Sequence, residues 1–196
     1  MFSKLKKIFT APGAHYLLTR FGGAAIRKKC FDEKYLSGDW DFAGNPDSAL
    51  AAVVEKYAAR GHILILGCGS AAVVGGLSRD SFQTILGIDI SPEAINRASR
   101  QKSESVRFEV GDIAKYKCGR RYDVILFSES INYVGPLRRK RLLKYLAANL
   151  TGQGKIIVTI AQSERYANIL KMIRRNFEVA EDSNFKDSQR RLLVFR

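Results

Sequence analysis

The sequence has few of the residues that mark disulfide-linked, zinc-binding or membrane-spanning proteins. Its three cysteines, Cys30, Cys68 and Cys118, are odd in number, far apart and not in metal-ligand spacing. We therefore expect no disulfide framework and no metal, and a reducing, cytoplasmic setting. No apolar run approaches the roughly 20 residues that span a bilayer, and the N-terminal stretch lacks the sustained apolar core of a secretory signal.

Acidic residues are scarce relative to basic ones. The 196 residues include 33 lysines and arginines against 19 aspartates and glutamates, so the net charge is +14. This imbalance bears on partners and not on fold. Nucleic acid, an anionic membrane surface and an acidic substrate are all compatible with it, as is simple solvation of an exposed face.

Two short stretches concentrate the basic residues. Residues 3–9 read "SKLKKIF" and could form an amphipathic element that contacts a membrane surface peripherally. Residues 138–141 read "RRKR" within a helical stretch, where we expect the four side chains to point largely outward. Packing of the first stretch on the core and solvation of the second are the alternatives.

The regular part of the chain begins at about Pro46. Residues 1–45 show no clear periodicity, so we expect an N-terminal segment (1–45) ahead of a single domain (46–196). Alternation of helices and strands predicts an α/β fold, with a largely parallel sheet covered by helices on both faces. The predicted helices are 47–60, 71–79, 91–100, 136–150 and 163–175, and the predicted strands are 62–66, 83–88, 106–110, 122–127, 154–160, 177–182 and 190–196.

Residues 63–76, "ILILGCGSAAVVGG", carry a buried strand into a turn with almost no side chains. Gly67 and Gly69 lack a Cβ, so the backbone can turn sharply and approach a ligand closely. A helix beginning near Ala71 would direct its free N–H groups to the same place. Asp89, at the end of the next strand, can accept hydrogen bonds from both ribose hydroxyls. The pattern predicts an adenine nucleoside site, with a plain strand-to-helix turn as the alternative.

Later motifs indicate which nucleoside it is. The turn "GCGSAA" fits the G-x-G-x-x-A pattern of dinucleotide folds. However, "VRFEVGDIAKY" brings Asp112 and Ile113 directly after the third strand, and "YDVILFSESINYV" carries the fourth strand into a polar turn. With these motifs in this order, residues 47–196 resemble the class I S-adenosylmethionine-dependent methyltransferases.

The resemblance implies a Rossmann-like fold, a seven-stranded and mostly parallel sheet with a C-terminal antiparallel hairpin. It also implies S-adenosyl-L-methionine as cofactor and S-adenosyl-L-homocysteine as product. The glycine turn would wrap the methionine part of the cofactor, and Asp89 would bind the ribose. The implied cofactor-binding residues are Gly67, Cys68, Gly69, Ser70, Asp89, Ile90, Asp112, Ile113, Ser128 and Glu129.

Two positions depart from the pattern of the family. Ile65 stands where an acidic residue often precedes the glycine turn, and Ala71 stands where a third glycine is common. The first departure removes a carboxylate that orders the amino-acid end of the cofactor. Backbone carbonyls or a residue from the N-terminal segment would have to replace it.

Methyl transfer from a sulfonium is a direct displacement, so the protein mainly holds the nucleophile in line, about 3–3.5 Å from the methyl carbon. A general base helps only where the nucleophile must lose a proton. Glu129 is the first catalytic candidate and Tyr133 the second, although a carboxylate at Glu129 could instead stabilise a helix N-terminus. The stretch "SESINY" resembles small-molecule methyltransferases, including nodulation-type N-methyltransferases that act on amino sugars.

The N-terminal segment is expected to fold over the cofactor as a lid, with Tyr35 and Trp40 lining it; plain packing on the core is the alternative. We expect methyl transfer to a nitrogen or oxygen atom of a small molecule, sugar or glycan. Transfer to RNA or protein, suggested by the charge, and a non-catalytic cofactor-binding role remain alternatives. The oligomeric state is not indicated.

Overall fold

The computed structural model describes residues 17–19, 22–40, 46–185 and 190–196. Seven strands form one sheet in the order β3-β2-β1-β4-β5-β7-β6. Strands β1 to β5 run parallel to one another, whereas β7 is antiparallel to both β5 and β6. The predicted fold class is therefore confirmed. The strands are β1 His62–Leu66, β2 Thr84–Asp89, β3 Val106–Val110, β4 Tyr122–Ser128, β5 Leu150–Ile160, β6 Val179–Phe185 and β7 Arg190–Phe195.

The central strands β1 and β4 are continuous aliphatic runs because helices or loops cover both of their faces. In β1, Ile63 and Ile65 pack into the core on one side of the sheet. Leu64 and Leu66 pack into a second core on the other side. This alternation holds β1 in a single register against β2 and β4.

The helices lie on both sides of the sheet. Helices α2 and α3 contribute to the first core, and α4 and α5 contribute to the second. Asp47 caps α2 by accepting from the Leu50 N–H, and Ser91 caps α3 in the same way from Ala94, as the Ser-Pro pair predicts. The helices are α1 Ala24–Leu36, α2 Ser48–Ala58, α3 Pro92–Ala98, α4 Pro136–Ala148 and α5 Ala167–Asn176.

The predicted helix 71–79 is wrong. Only a short 3-10 helix, Val74–Gly76, forms there, and Ala71 has a left-handed φ of 66°. Two consecutive glycines weaken any helix. Gly76 also passes so close to α2 that an added Cβ would lie 3.0 Å from Ala51 Cβ. The helix N-terminus expected to face the ligand is therefore absent. The N–H groups of Gly67, Cys68, Gly69 and Ala71 in the turn are hydrogen-bonded within the protein.

Helix α1 is a feature that the periodicity of residues 1–45 did not predict. It begins after Gly23 and buries Cys30, Phe31 and Tyr35. Of these three, only Phe31 and Tyr35 stand at helical spacing, so the apolar pattern is short and hard to recognise in the sequence. The remaining predicted elements are present, and none of their bounds shifts by more than four residues. The basic stretch 3–9 lies outside the described residues.

Arg139 corrects the expectation that residues 138–141 all point outward. Its side chain is buried, with 5% exposed, and it donates to the carbonyl groups of Ile131, Asn132 and Val134. Those carbonyls belong to the turn between β4 and α4 and need donors when they are buried. Arg139 therefore holds the turn in shape.

Replacing Arg139 with lysine is expected to lower the free energy of unfolding by about 2 kcal/mol or more. Lysine concentrates its donors on one nitrogen and cannot reproduce the planar fork that reaches three carbonyls. The exposed neighbour provides the matched control, Arg138→Lys, which should change stability by less than about 0.5 kcal/mol. Urea denaturation of both variants measures the difference. Equal stability would show that Arg139 does not hold the turn.

No helix within the described residues is long and apolar enough to cross a bilayer.

Candidate functional site

A cavity of about 770 Å³ opens at the carboxyl ends of the parallel strands. Its volume lies within the roughly 300–1,000 Å³ of small-molecule sites. All of the residues predicted for the site line this one cavity, although their roles in binding stay predictions. They are Tyr35, Trp40, Gly67, Cys68, Gly69, Ser70, Asp89, Ile90, Asp112, Ile113, Ser128, Glu129 and Tyr133.

The glycine turn after β1 requires glycine for two reasons. Gly67 and Gly69 have left-handed φ values of 79° and 54°, which glycine adopts without strain. An added Cβ would also lie 2.4 Å from Ser130 Cβ at Gly67, and 2.7 Å from the Tyr35 hydroxyl at Gly69. The turn is thus packed against protein on one side and faces the cavity on the other.

Asp89 ties this turn to the end of β2. Its Oδ2 accepts from the Gly69 N–H at 3.0 Å, and its Oδ1 accepts from the Ser91 N–H at 2.9 Å. Burial raises the pKa of the Asp89 carboxyl, while these backbone donors act in the opposite direction. Each carboxylate oxygen keeps a second lone pair, so the side chain can accept further hydrogen bonds from a ligand in the cavity.

Asp112 is engaged by a residue that sequence reasoning missed. Its Oδ1 accepts from the Ala114 N–H, and its Oδ2 lies 2.7 Å from an Arg27 guanidinium nitrogen. Both side chains are mostly buried, at 13% and 14% exposed. The ion pair fastens α1 to the loop after β3. A ligand that approaches the Asp112 edge of the cavity therefore meets Arg27 as well.

Helix α1 covers the cavity with one of its faces. Arg27, Phe31 and Tyr35 all line the cavity, and their spacing of four residues puts them on the same side of a helix. This spacing is the signal in the sequence that could have identified Arg27 and Phe31. Ser91 Oγ donates to Asp32 at 2.5 Å, which fastens the same helix to the start of α3.

Aromatic rings form one wall of the cavity. The ring of Phe31 packs edge-on against Tyr133, with centroids 4.9 Å apart. Trp40 is the only tryptophan. The centroid of its ring lies 5.2 Å from that of Tyr35 and 5.7 Å from that of Phe31. Burial raises the pKa of Tyr133 to about 12, so its hydroxyl is protonated at neutral pH. It can then donate a hydrogen bond to a ligand, and it is a poor base.

Glu129 has the least satisfied carboxylate in the cavity. Its backbone has a left-handed φ of 54°, a strained conformation for a residue with a side chain. Oε2 accepts from the Ala161 N–H at 2.5 Å, whereas Oε1 is buried with no hydrogen-bond partner among the described residues. Burial raises the pKa of the Glu129 carboxyl. This side chain can therefore accept a hydrogen bond or a proton from a ligand.

Several further residues line the cavity but belong to parts of the chain in which the sequence shows no motif. Arg190, on β7, lines it and forms an ion pair with Asp47 at 2.9 Å. Arg165 and Tyr166 precede α5 and line it as well. The antiparallel hairpin brings Arg190 to the site. No short-range pattern in the sequence predicts that Arg190 lines the cavity. Within the described part of the chain, no group of three or more histidine, cysteine or acidic residues could hold a metal ion.

Comparison with known proteins agrees with this geometry. Residues 63–154 match the family model described as "Methyltransferase domain". A TehB-like SAM-dependent methyltransferase from Corynebacterium glutamicum superposes with a TM-score of 0.67 and 21% identity, over 85% of this chain and 98% of that one. The N-methyltransferase NodS from Bradyrhizobium japonicum has a TM-score of 0.62 and 15% identity, over 75% and 93%.

A third similar structure is the DhpI–SAM–HEP complex, with a TM-score of 0.53 and 18% identity, over 86% of this chain and 79% of that one. At such identities the structural likeness concerns the fold. Residues 63–154 thus match a methyltransferase domain, and the chain shares its fold with S-adenosylmethionine-dependent methyltransferases. The resemblance predicted from residues 47–196 is thus confirmed.

Proposed function

We propose that the protein transfers a methyl group from S-adenosylmethionine to a nitrogen or oxygen atom of a small molecule or sugar. One observation carries the proposal. A single cavity joins the glycine turn and Asp89 on one side to Glu129 and Tyr133 on the other. A methyl donor bound to the first side would thus meet an acceptor bound to the second.

The residues at the first side fit the cofactor. The turn Gly67–Ser70 leaves backbone next to the cavity, and Asp89 retains acceptor capacity for ribose hydroxyls. Asp112 and Ile113 would contact the adenine, with Arg27 beside them. Bound S-adenosylmethionine supplies a methyl group that the positive charge on its sulfur has already activated. The protein's own task is to hold the acceptor in line and to exclude water.

The acceptor side of the cavity is rich in oxygen atoms that lack donors. Glu129 Oε1 and Asn132 Oδ1 are both buried and unsatisfied within the part of the chain that the structure describes. Leaving such an atom without a partner costs about 1–3 kcal/mol. A substrate with N–H or O–H groups would satisfy them, which supports a nitrogen or oxygen nucleophile. Glu129 could then take the proton that such a nucleophile loses.

The covered shape of the cavity favours a small substrate. Helix α1 lies across it, and the side chains of Phe31, Tyr35 and Trp40 fill its aromatic wall. An RNA or protein acceptor would have to insert a single nucleotide or amino-acid residue into the cavity past these aromatic side chains. The similarity to NodS, an N-methyltransferase, supports an amine as the first acceptor class to screen.

Titration of the protein with S-adenosylmethionine, S-adenosylhomocysteine and NAD tests the cofactor assignment. Because Trp40 is the only tryptophan and lines the cavity, its fluorescence is expected to change when the two sulfur compounds bind. Micromolar binding of both, with no response to NAD, is the expected result. Binding of NAD alone would contradict the proposal. The absence of a calorimetric binding signal for all three ligands would contradict it as well.

Methyl transfer is then measured with radiolabelled cofactor on a panel of amines, amino sugars and hydroxyl compounds. We expect label in at least one small acceptor. Label only in RNA or in protein would overturn the small-molecule assignment but leave the cofactor assignment intact. Cofactor binding without transfer to any acceptor would favour a non-catalytic role.

A further inference from the structure

The charges of the helices are segregated between the two faces of the sheet. Helices α2 and α3, on one face, each carry one acidic and one basic residue. Helices α4 and α5, on the other face, together carry eight basic residues and no acidic one. The +14 net charge is therefore not spread evenly over the molecule.

A loop extends the basic surface beside α4. Residues 113–121 contain four basic residues and no acidic one. The Cys118 N–H donates to the Tyr145 hydroxyl at 2.8 Å, and Lys117 Nζ lies 4.9 Å from the centre of the Tyr145 ring. The loop thus packs against α4. We define the basic face as the four lysines and arginines of residues 115–121 together with Arg138, Lys140, Arg141 and Lys144, all exposed.

The positive charge of the basic face is not neutralised locally. None of its eight side chains forms an ion pair with a carboxylate among the residues that the structure describes. Some basic residues elsewhere are paired, such as Lys56 with Glu181 and Arg174 with Asp182. Other exposed ones, such as Arg79 and Lys102, are also without an ion pair among the described residues but are not clustered in this way. A surface of eight uncompensated cations raises the local concentration of anionic partners.

One apolar residue indicates the chemistry of the partner. Leu137, at the start of α4, is 93% exposed and is flanked by the basic face. An exposed leucine among cations adds to the affinity for a lipid surface, where it can enter the headgroup region. It adds nothing to contacts with a phosphate backbone.

The tyrosines of this face do not offer a stacking platform for nucleobases. Lys117 covers the Tyr145 ring, and the Tyr116 side chain is partly buried against the second core. Single-stranded nucleic acid binding without sequence preference relies on exposed aromatic rings among the cations. The face therefore fits lipid headgroups better than RNA.

We propose that the basic face binds an anionic lipid surface, with Leu137 inserted among the headgroups. This goes beyond the transfer reaction and does not depend on it. Leu137 follows Tyr133 by four residues, and Tyr133 lines the cavity. Leu137 therefore lies close in the chain to a residue of the cavity wall.

Vesicle sedimentation with the full chain tests the proposal. The vesicles contain phosphatidylcholine with about one-third phosphatidylglycerol, and pure phosphatidylcholine vesicles serve as the neutral reference. We expect binding to the anionic vesicles only, weakening as salt is raised. The triple variant K140Q/R141Q/K144Q is expected to bind about 100-fold more weakly, and Leu137→Ser about tenfold more weakly.

The matched control is R79Q/R100Q/K102Q, which removes the same charge from exposed positions outside the basic face and should retain most of the binding. The lysines of residues 3–9 are present in every variant, so they do not account for a difference. Equal loss in both triple variants would overturn the proposal, as would no binding to anionic vesicles. Retention of a double-stranded RNA of about 20 base pairs by wild type and Leu137→Ser alike, without vesicle binding, would assign the face to RNA instead.

Discussion

Replacing Asp89 with asparagine is expected to weaken the binding of S-adenosylmethionine and S-adenosylhomocysteine by about 100-fold or more. In the proposed site two ribose hydroxyls would lose their charged acceptor, and hydrogen bonds to charged groups contribute about 1.5–3 kcal/mol each. The asparagine side chain also has one acceptor oxygen where Asp89 uses two, for the Gly69 and Ser91 N–H groups. Calorimetric titration measures the loss directly.

The control for this prediction separates binding from folding. Asp80 is an exposed aspartate in the short 3-10 helix before β2, and Asp80→Asn makes the same chemical change away from the cavity. It should leave affinity unchanged. Thermal unfolding of Asp89→Asn shows whether the turn still forms. If a folded Asp89→Asn protein bound the cofactor as tightly as wild type, Asp89 would not belong to the binding site.

Replacing Glu129 with glutamine is expected to lower turnover by about 100-fold and to leave the affinity for S-adenosylhomocysteine within roughly threefold. Glutamine keeps the shape of the side chain and an oxygen that can accept from the Ala161 N–H. It cannot take a proton from the acceptor. Single-turnover rates with the identified acceptor, alongside titration of the product cofactor, separate the two effects.

The pH dependence gives an independent readout of Glu129. Burial raises its pKa above that of an ordinary glutamate, and a base acts only when it is deprotonated. The rate of the wild-type enzyme should therefore fall as the pH falls through this raised pKa, above the ordinary value of about 4.3. In Glu129→Gln, the rate should no longer fall in this pH range.

Glu104→Gln, at an exposed position, is the matched control for Glu129→Gln and should change neither rate nor affinity. A loss of cofactor affinity alone in Glu129→Gln would assign the side chain to the cofactor. That result would also explain how the cavity compensates for Ile65, where the family often has an acidic residue. Wild-type turnover in the variant would exclude Glu129 as the base.

Local patterns predicted most of the sheet and about half of the residues that line the cavity. The aliphatic runs of β1 and β4 and the Ser91-Pro92 helix start depend on neighbouring residues, so short stretches of sequence suffice to recognise them. The carboxyl ends of parallel strands meet at one edge of a sheet. For this reason, motifs far apart in the sequence could be assigned to one site before their geometry was known.

The predictions failed where a distant contact decided the structure. The helix expected at 71–79 is replaced by a tight turn because Gly76 packs directly on α2. Arg139 looked like part of a solvated basic run, yet it turns inward because the carbonyl groups of the turn before α4 need donors. The two glycines at 75 and 76 are a local sign of the first failure, whereas nothing in the residues next to Arg139 indicates that it is buried.

The sequence alone determined the order of the strands and of four of the helices, the glycine turn and the acidic residues that follow the strands, because each depends on short-range propensity. Only the tertiary structure decided that Arg27 of α1 pairs with Asp112, that Arg190 of the hairpin reaches the same cavity, and that the basic residues collect on one face. These features join residues separated by tens of positions. Their energies come from burial and charge pairing across the fold, which no local pattern encodes.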